Sequence, residues 1–219
     1  MGMNRPKVCA VITRIDQGAL IRCSNADLFE LRIDLVGPGW IGLAGEINKP
    51  WIATNRGQIE GGGWRGSEDA RIAALMNAIE AGASIVDVEM ETQDMDDVVV
   101  KVKEKCDCLM SYHNFNRTPP LEELKDIVER QIAAGADICK VATMARSIDD
   151  NITILELIKS SVHTPFVAMA MGETGQVSRI LGPFMGAAFG YVALEPENCS
   201  SAGQLTEAQM TALYRIVCQ

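Results

Sequence analysis

A closed (β/α)8 barrel, the TIM-barrel arrangement, is the fold class this sequence predicts. Three observations carry that expectation. Eight short apolar runs recur along 219 residues, capped amphipathic stretches separate most of them, and polar residues recur where the runs end. The length lies near the lower end for such a barrel and suffices for one sizeable core, so residues 1–219 are expected to form a single domain. A doubly wound open sheet is the structural alternative, but its GxGxxG turn is missing after the first run.

The first run, Lys7–Thr13, leads through a weakly helical connection to the second, Leu28–Leu35. Trp51–Arg56 and Ile85–Glu89 follow. Between these two, Ser67 caps a helix rich in Ala70, Ala73, Ala74 and Ala78, which stops at Gly82. After Cys108–His113, Thr118-Pro119-Pro120 opens a helix through Leu121, Leu124, Ile127, Val128 and Ile132 to Gly135. Proline is tolerated in a first turn because the N–H it lacks has no helical acceptor there. Ile138–Met144 precedes a helix that starts at Asp149 or Asp150 and stops before Pro165. Phe166–Met171 runs into Gly172 and another helix start, and Ala187–Ala193 is the last run. Thr206 caps the closing helix, whose apolar face carries Met210, Leu213, Ile216 and Val217. Short runs between turn and cap residues are what buried parallel strands look like.

Composition excludes several classes of function. Lys and Arg total 20 against 29 Asp and Glu, for a net charge of −9. Such an acidic chain is a poor general binder of nucleic acid and a poor basic membrane-surface protein. No apolar run is long enough to span a bilayer, and Val8–Ile12 is too short for a signal-peptide core. The seven cysteines are odd in number and form no CxxC pair, so they read as reduced cytosolic thiols rather than a disulfide framework or zinc site.

Lys140 is the most informative residue. It lies within Asp137-Ile138-Cys139-Lys140-Val141-Ala142, which otherwise reads as a buried strand. Burial in an apolar wall favours the neutral amine, the nucleophile that condenses with a carbonyl. A lysine paired with a buried carboxylate, or reaching solvent from the strand end, is the structural alternative. His113 ends a strand, where barrel chemistry is located, whereas His163 precedes one and falls on the opposite face. Side-chain alternation puts Glu30, Arg32 and Asp34 together on one face, and Asp87 with Glu89 on another. Buried charges so grouped need mutual pairing or a polar ligand, and an ion-pair layer inside the barrel is the competing structural reading. Arg56 ends the third run, with Glu60-Gly61-Gly62-Gly63 after it. Met169-Ala170-Met171-Gly172 passes into a helix start carrying Arg179, a donor suited to a carboxylate or phosphate.

Taken in order, these segments resemble type I 3-dehydroquinate dehydratase of the shikimate pathway. The motifs that carry the resemblance are Glu30-Leu-Arg-Ile-Asp34, Arg56 with Glu60-Gly61-Gly62, Ser111-x-His113-x-Phe115 and Lys140-Val-Ala142. Met169-x-Met171 with Thr174-Gly175-x-x-Ser178-Arg179, and Ser200-Ser-Ala-Gly-Gln204, complete the set. The resemblance implies Lys140 as Schiff-base lysine, His113 as general acid/base and Glu60 as the acid that orients it. It implies Glu30, Arg32 and Arg56 at the substrate hydroxyls, and Arg179, Ser200 and Gln204 at its carboxylate. Phe115, Met169, Met171 and Phe189 become apolar walls. Implied too are 3-dehydroquinate as substrate, a cytoplasmic homodimer, and neither metal nor cofactor. Two departures stand out. Ala202 replaces the family's usual proline in the closing loop, which implies a more mobile lid. Asn114 stands where aspartate is common, which bears on the tuning of His113.

Two other functions compete. A class I aldolase also places a Schiff-base lysine in a barrel strand, but a phosphate site would use glycine-rich loops where this chain offers Ser200 and Gln204. A non-catalytic binding barrel would not need Lys140, His113 and Glu60 together, and fold alone decides nothing between them.

Overall fold

A computed structural model describes residues 4–161 and 164–218. His163 lies outside the described residues. The chain runs β1 (Val8–Ile12), α1 (Gly18–Cys23), β2 (Leu28–Arg32), α2 (Ile33–Val36), α3 (Trp40–Ala44), β3 (Trp51–Thr54), α4 (Glu68–Glu80), β4 (Ile85–Glu89) and α5 (Met95–Lys103). It continues with β5 (Asp107–Asn114), α6 (Leu121–Ala133), β6 (Ile138–Met144), α7 (Asp149–Ser160), β7 (Phe166–Met171), α8 (Gln176–Met185), β8 (Gly190–Ala193) and α9 (Glu207–Val217). All eight strands pair in parallel in the order β7-β6-β5-β4-β3-β2-β1-β8. At the seam the Ala188 N–H donates to the Phe166 carbonyl at 2.8 Å, so the sheet nearly closes on itself.

Alternation along each strand separates two cores. Outward residues such as Ala10, Phe29, Val86, Met110 and Val141 pack under the helices. Inward residues form a second cluster, and its pattern is ordered. In β2 to β6 the first inward residue is apolar: Leu28, Ile52, Ile85, Leu109 and Ile138. Two positions on it is polar: Glu30, Thr54, Asp87, Ser111 and Lys140, all buried. The apolar tier closes the barrel floor, each side chain contributing about 1.5–3 kcal/mol by burial. The polar tier above it faces the C-terminal mouth, where barrel active sites are built.

Local chemistry fixes several boundaries. The Ser67 hydroxyl accepts from the Ala70 N–H and begins α4, and Thr206 forms a capping box with Gln209 at α9. The second strand is shorter than the sequence pattern suggests. It stops at Arg32 because Ile33–Val36 coils into one helical turn, which carries Asp34 off the strand face. The third strand ends at Thr54, two residues early, because Asn55 and Arg56 enter the loop toward a 3-10 turn at Gln58–Glu60. Among the described residues no helix is long and apolar enough to cross a membrane.

Candidate active site

The polar tier converges on Lys140. From the middle of β6 its Nζ donates to Glu30 Oε1 and to Asp87 Oδ2, each at 3.1 Å, and lies 4.5 Å from the centroid of the Tyr191 ring. The apolar wall expected around this amine is therefore corrected: one side is ionic, and the carboxylates come from strands far away in sequence. Asp87 also accepts from Arg56 Nη2 and from the Ser111 hydroxyl, both at 2.6 Å. Burial alone raises the Asp87 carboxyl, but Arg56 and Lys140 outweigh it and hold it below the usual carboxylate range. The same pairing reverses the effect of burial on Arg56 and pushes that guanidinium up.

His113, at the end of β5, has its Nδ1 2.7 Å from Glu60 Oε2. Burial, then the charges of Arg56 and Lys140, push the imidazole well below its ordinary range. Burial pushes Glu60 up to about 8, against the pull of Arg56 and with the help of Glu89, Asp87 and Glu91. Gly61 must follow Glu60 without a side chain. Its φ is +73°, and a Cβ there would stand 2.4 Å from the Phe115 ring. That ring in turn stacks on His113, 6.1 Å between centroids and 12° between planes.

Arg179, on the first turns of α8, faces the same cavity from the other side. Its Nη2 donates to the Ser201 hydroxyl at 2.9 Å and to the Ala202 carbonyl at 3.3 Å. Its buried Nε has no partner among the described residues. Burial brings this guanidinium down to about 10. Ser200 turns to Gln204 instead, its N–H and hydroxyl donating to Gln204 Oε1 at 2.7 and 3.1 Å. The loop is docked on the mouth: the Gly172 N–H donates to the Ala202 carbonyl at 2.9 Å. Gly203 makes this approach possible, since its φ is +74° and a Cβ would lie 2.1 Å from the Gly172 carbonyl oxygen.

One cavity, with about 540 Å³ of space partly open to solvent, is lined by Glu30, Arg32, Arg56, Glu60, His113, Phe115, Lys140, Met169, Met171, Arg179, Ser200 and Gln204. Phe189 is the exception among the expected site residues. It stands behind the lining, edge-to-face on Tyr191 at 5.3 Å, and supports the wall rather than forming it. Asp34 grips Arg32 through two hydrogen bonds of 2.7 and 2.9 Å. Asn114 accepts from the N–H groups of Asn116 and Arg117, so its side chain shapes the following loop and makes no hydrogen bond to His113. Cys139 points outward into the α6–α7 core, as expected of a strand neighbour of Lys140.

Sequence reasoning missed Tyr191, Ser201 and Arg71. Arg71 is buried beneath the Glu60 loop, where it donates to the Asn55 carbonyl at 3.0 Å and pairs with Glu89 at 3.5 Å. The helical period held a signal for it, since Arg71, Leu75 and Ala78 share the buried face of α4.

Comparison with known proteins agrees with this geometry. A family model described as Type I 3-dehydroquinase matches residues 8–219. A 3-dehydroquinate dehydratase of Dehalococcoides mccartyi is 43% identical over 216 residues, covering 98% of this chain and 97% of the relative. That of Methanocaldococcus jannaschii is 33% identical over 199 residues, with 88% of each chain covered. The structure of type I 3-dehydroquinate dehydratase from Clostridium difficile, solved with covalently modified comenic acid, superposes with a TM-score of 0.86 at 25% identity, covering 99% of this chain and 94% of that one. The barrel, its C-terminal cavity and matches spanning nearly the whole length have one reading: the chain belongs to the type I 3-dehydroquinase family, hydro-lyases of class EC 4.2.1.10.

Proposed function

We propose that the chain dehydrates 3-dehydroquinate to 3-dehydroshikimate through a Schiff base on Lys140, with His113 as the general acid/base. One observation carries the proposal. Lys140, the His113–Glu60 pair and the under-partnered Arg179 line a single cavity at the barrel mouth. The covalent ligand described for the Clostridium difficile relative is in keeping with it.

Lys140 passes one Nζ proton to solvent and the free amine adds to the C3 ketone, whose oxygen takes up protons and departs as water. Loss of water leaves an iminium, which makes the C2 protons more acidic. His113 removes one of them to give an enamine. The enamine expels the C1 hydroxyl, which His113 protonates, so proton and hydroxyl leave from the same face. Water then hydrolyses the iminium and frees Lys140 and the product. The iminium itself is the electron sink, so the steps call on no metal or organic cofactor.

The surroundings have distinct tasks. Glu30 and Asp87 balance the positive charge at Nζ. Arg32 and Arg56 stand where substrate hydroxyls would be held. Arg179, with Gln204 and the Ser200–Ser201 loop, receives the carboxylate and turns C2 toward His113, which lowers the barrier by prior orientation. Met169, Met171 and Phe115 close the apolar edges of the ring site.

Borohydride reduction in the presence of substrate tests the proposal. It is expected to add one stable mass at Lys140 and to stop turnover measured by the absorbance of the conjugated enone product. An active preparation whose Lys140 stays unlabelled rejects the mechanism.

A further inference from the structure

Tyr191 has no task in the steps above, yet its ring lies directly against the reacting nitrogen. It lies on β8, buried and inward-facing, with Lys140 Nζ over its face at 4.5 Å from the centroid. Its hydroxyl makes no hydrogen bond among the described residues. Burial, then the negative charge of Glu30, pushes that hydroxyl up, so it stays neutral in the working range. Phe189 fixes the ring plane from behind, edge-to-face at 75°.

We propose that the ring face of Tyr191, not its hydroxyl, stabilises the iminium on Lys140. Counting N–H bonds gives the reason. An ammonium has three, and two of them serve Glu30 and Asp87. An iminium keeps one, so at least one carboxylate contact is lost when the Schiff base forms. An aromatic face attracts a cation without needing any N–H. Its contact therefore survives condensation, and its relative weight is largest in the iminium. This inference rests on the Schiff-base reading of Lys140 and adds a residue to it.

The test compares Tyr191→Leu, Tyr191→Phe and a series carrying mono-, di- and trifluorinated phenylalanine at position 191. Each is read by turnover and by the fraction of Lys140 trapped with borohydride at fixed 3-dehydroquinate. Tyr191→Leu is expected to lower both, by about 2- to 30-fold given the usual strength of such contacts. Tyr191→Phe is expected to recover what leucine loses. Successive fluorines, which weaken the ring's negative face with little change in shape, are expected to lower trapping stepwise. Should Tyr191→Leu fail to fold, the fluorinated series decides alone. A phenylalanine variant as impaired as the leucine one overturns the inference by assigning the role to the hydroxyl. Flat trapping across the fluorinated series overturns it by removing the ring. Absence of any adduct in the wild-type protein would reject the Schiff-base reading first, and this inference with it.

Discussion

Strands β2 to β5 and strands β7, β8 and β1 build opposite walls of one barrel with different chemistry. On the first wall Glu30, Arg32, Arg56, Asp87 and Glu89 are buried, and each has an oppositely charged partner. On the second, Val11, Val167, Met169, Met171 and Tyr191 face inward, and the cation that reaches them from α8, Arg179, has no carboxylate within ion-pair distance among the described residues. The two guanidiniums record the difference. Asp87, Glu89 and Glu60 overcome the burial of Arg56 and push it up, while burial dominates at Arg179 and brings it down to about 10. Paired charges are already satisfied and serve to hold geometry. An under-paired buried cation costs free energy until an anion arrives, which makes it a receptor. Lys140 sits on the seam, with carboxylates to one side and the Tyr191 ring to the other.

His113→Ala strikes the ionic wall where it touches the reaction, and carries the largest expected effect. Loss of a proton-transfer group lowers kcat by about 10²–10⁴-fold. Lys140 and its carboxylates remain, so borohydride still labels it in the presence of substrate. Near-normal turnover in this variant would move the proton transfer to another group. Loss of labelling would show that His113 is needed before the imine forms.

Arg179→Ala and Arg56→Ala sharpen the contrast between walls. Removing Arg179 takes away charge-assisted hydrogen bonds to the substrate carboxylate, each worth about 1.5–3 kcal/mol, so KM rises by about 10- to 100-fold. Because the free enzyme loses a poorly partnered buried charge, its stability to urea is expected to hold or improve. Removing Arg56 leaves Asp87 short of a partner and is expected to cost about 3–5 kcal/mol of folding stability. Equal stability losses in the two variants would break the comparison.

The sequence made one wall far easier to read than the other. A charge inside an apolar strand run stands out, which singles out Lys140, and alternation groups Glu30 with Arg32 and Asp87 with Glu89, although it also puts Asp34 on the face that the turn at Ile33–Val36 takes it from. The floor pattern, an apolar inward residue two positions before each polar one, emerges only once the strand register is known. What no local pattern contains is who pairs with whom. Glu30 lies 110 residues from Lys140 and Asp87 lies 53 away, and only barrel closure brings them to 3.1 Å. On the apolar wall an aromatic in a buried strand looks like ordinary core, so Tyr191 carries no signal, and the resemblance that implies Phe189 as a wall does not separate lining from backing. The choice between Ser200 and Ser201 beside Arg179 depends on the path of a loop whose turn at Gly203 is set by the Gly172 carbonyl.

Glu60→Gln probes the boundary of the ionic wall and carries the smallest expected effect, a displaced pH profile with modest loss of peak rate. His113 and Arg56 face Glu60 directly, and Glu89, Asp87 and Glu91 act on it through space. The fold holds its proton up to about pH 8, far above the usual 4.5 of the side chain. Below that pH a protonated Glu60 donates to Nδ1 of His113 and leaves the other ring nitrogen carrying the proton, unable to act as base. Above it, Nδ1–H donates to the carboxylate and the far nitrogen is free. The rising limb of kcat/KM is therefore expected near pH 8 in the wild type and at lower pH in Glu60→Gln, whose amide oxygen accepts from Nδ1–H without first losing a proton. Stability gives an independent sign. A raised folded-state pKa means stability that is present below the unfolded value of about 4.5 and lost as pH rises through about 8. Glu60→Gln is expected to flatten that decline in urea titrations. An unmoved rate profile with a flattened stability curve would show that Glu60 holds the His113 ring in place without governing its proton.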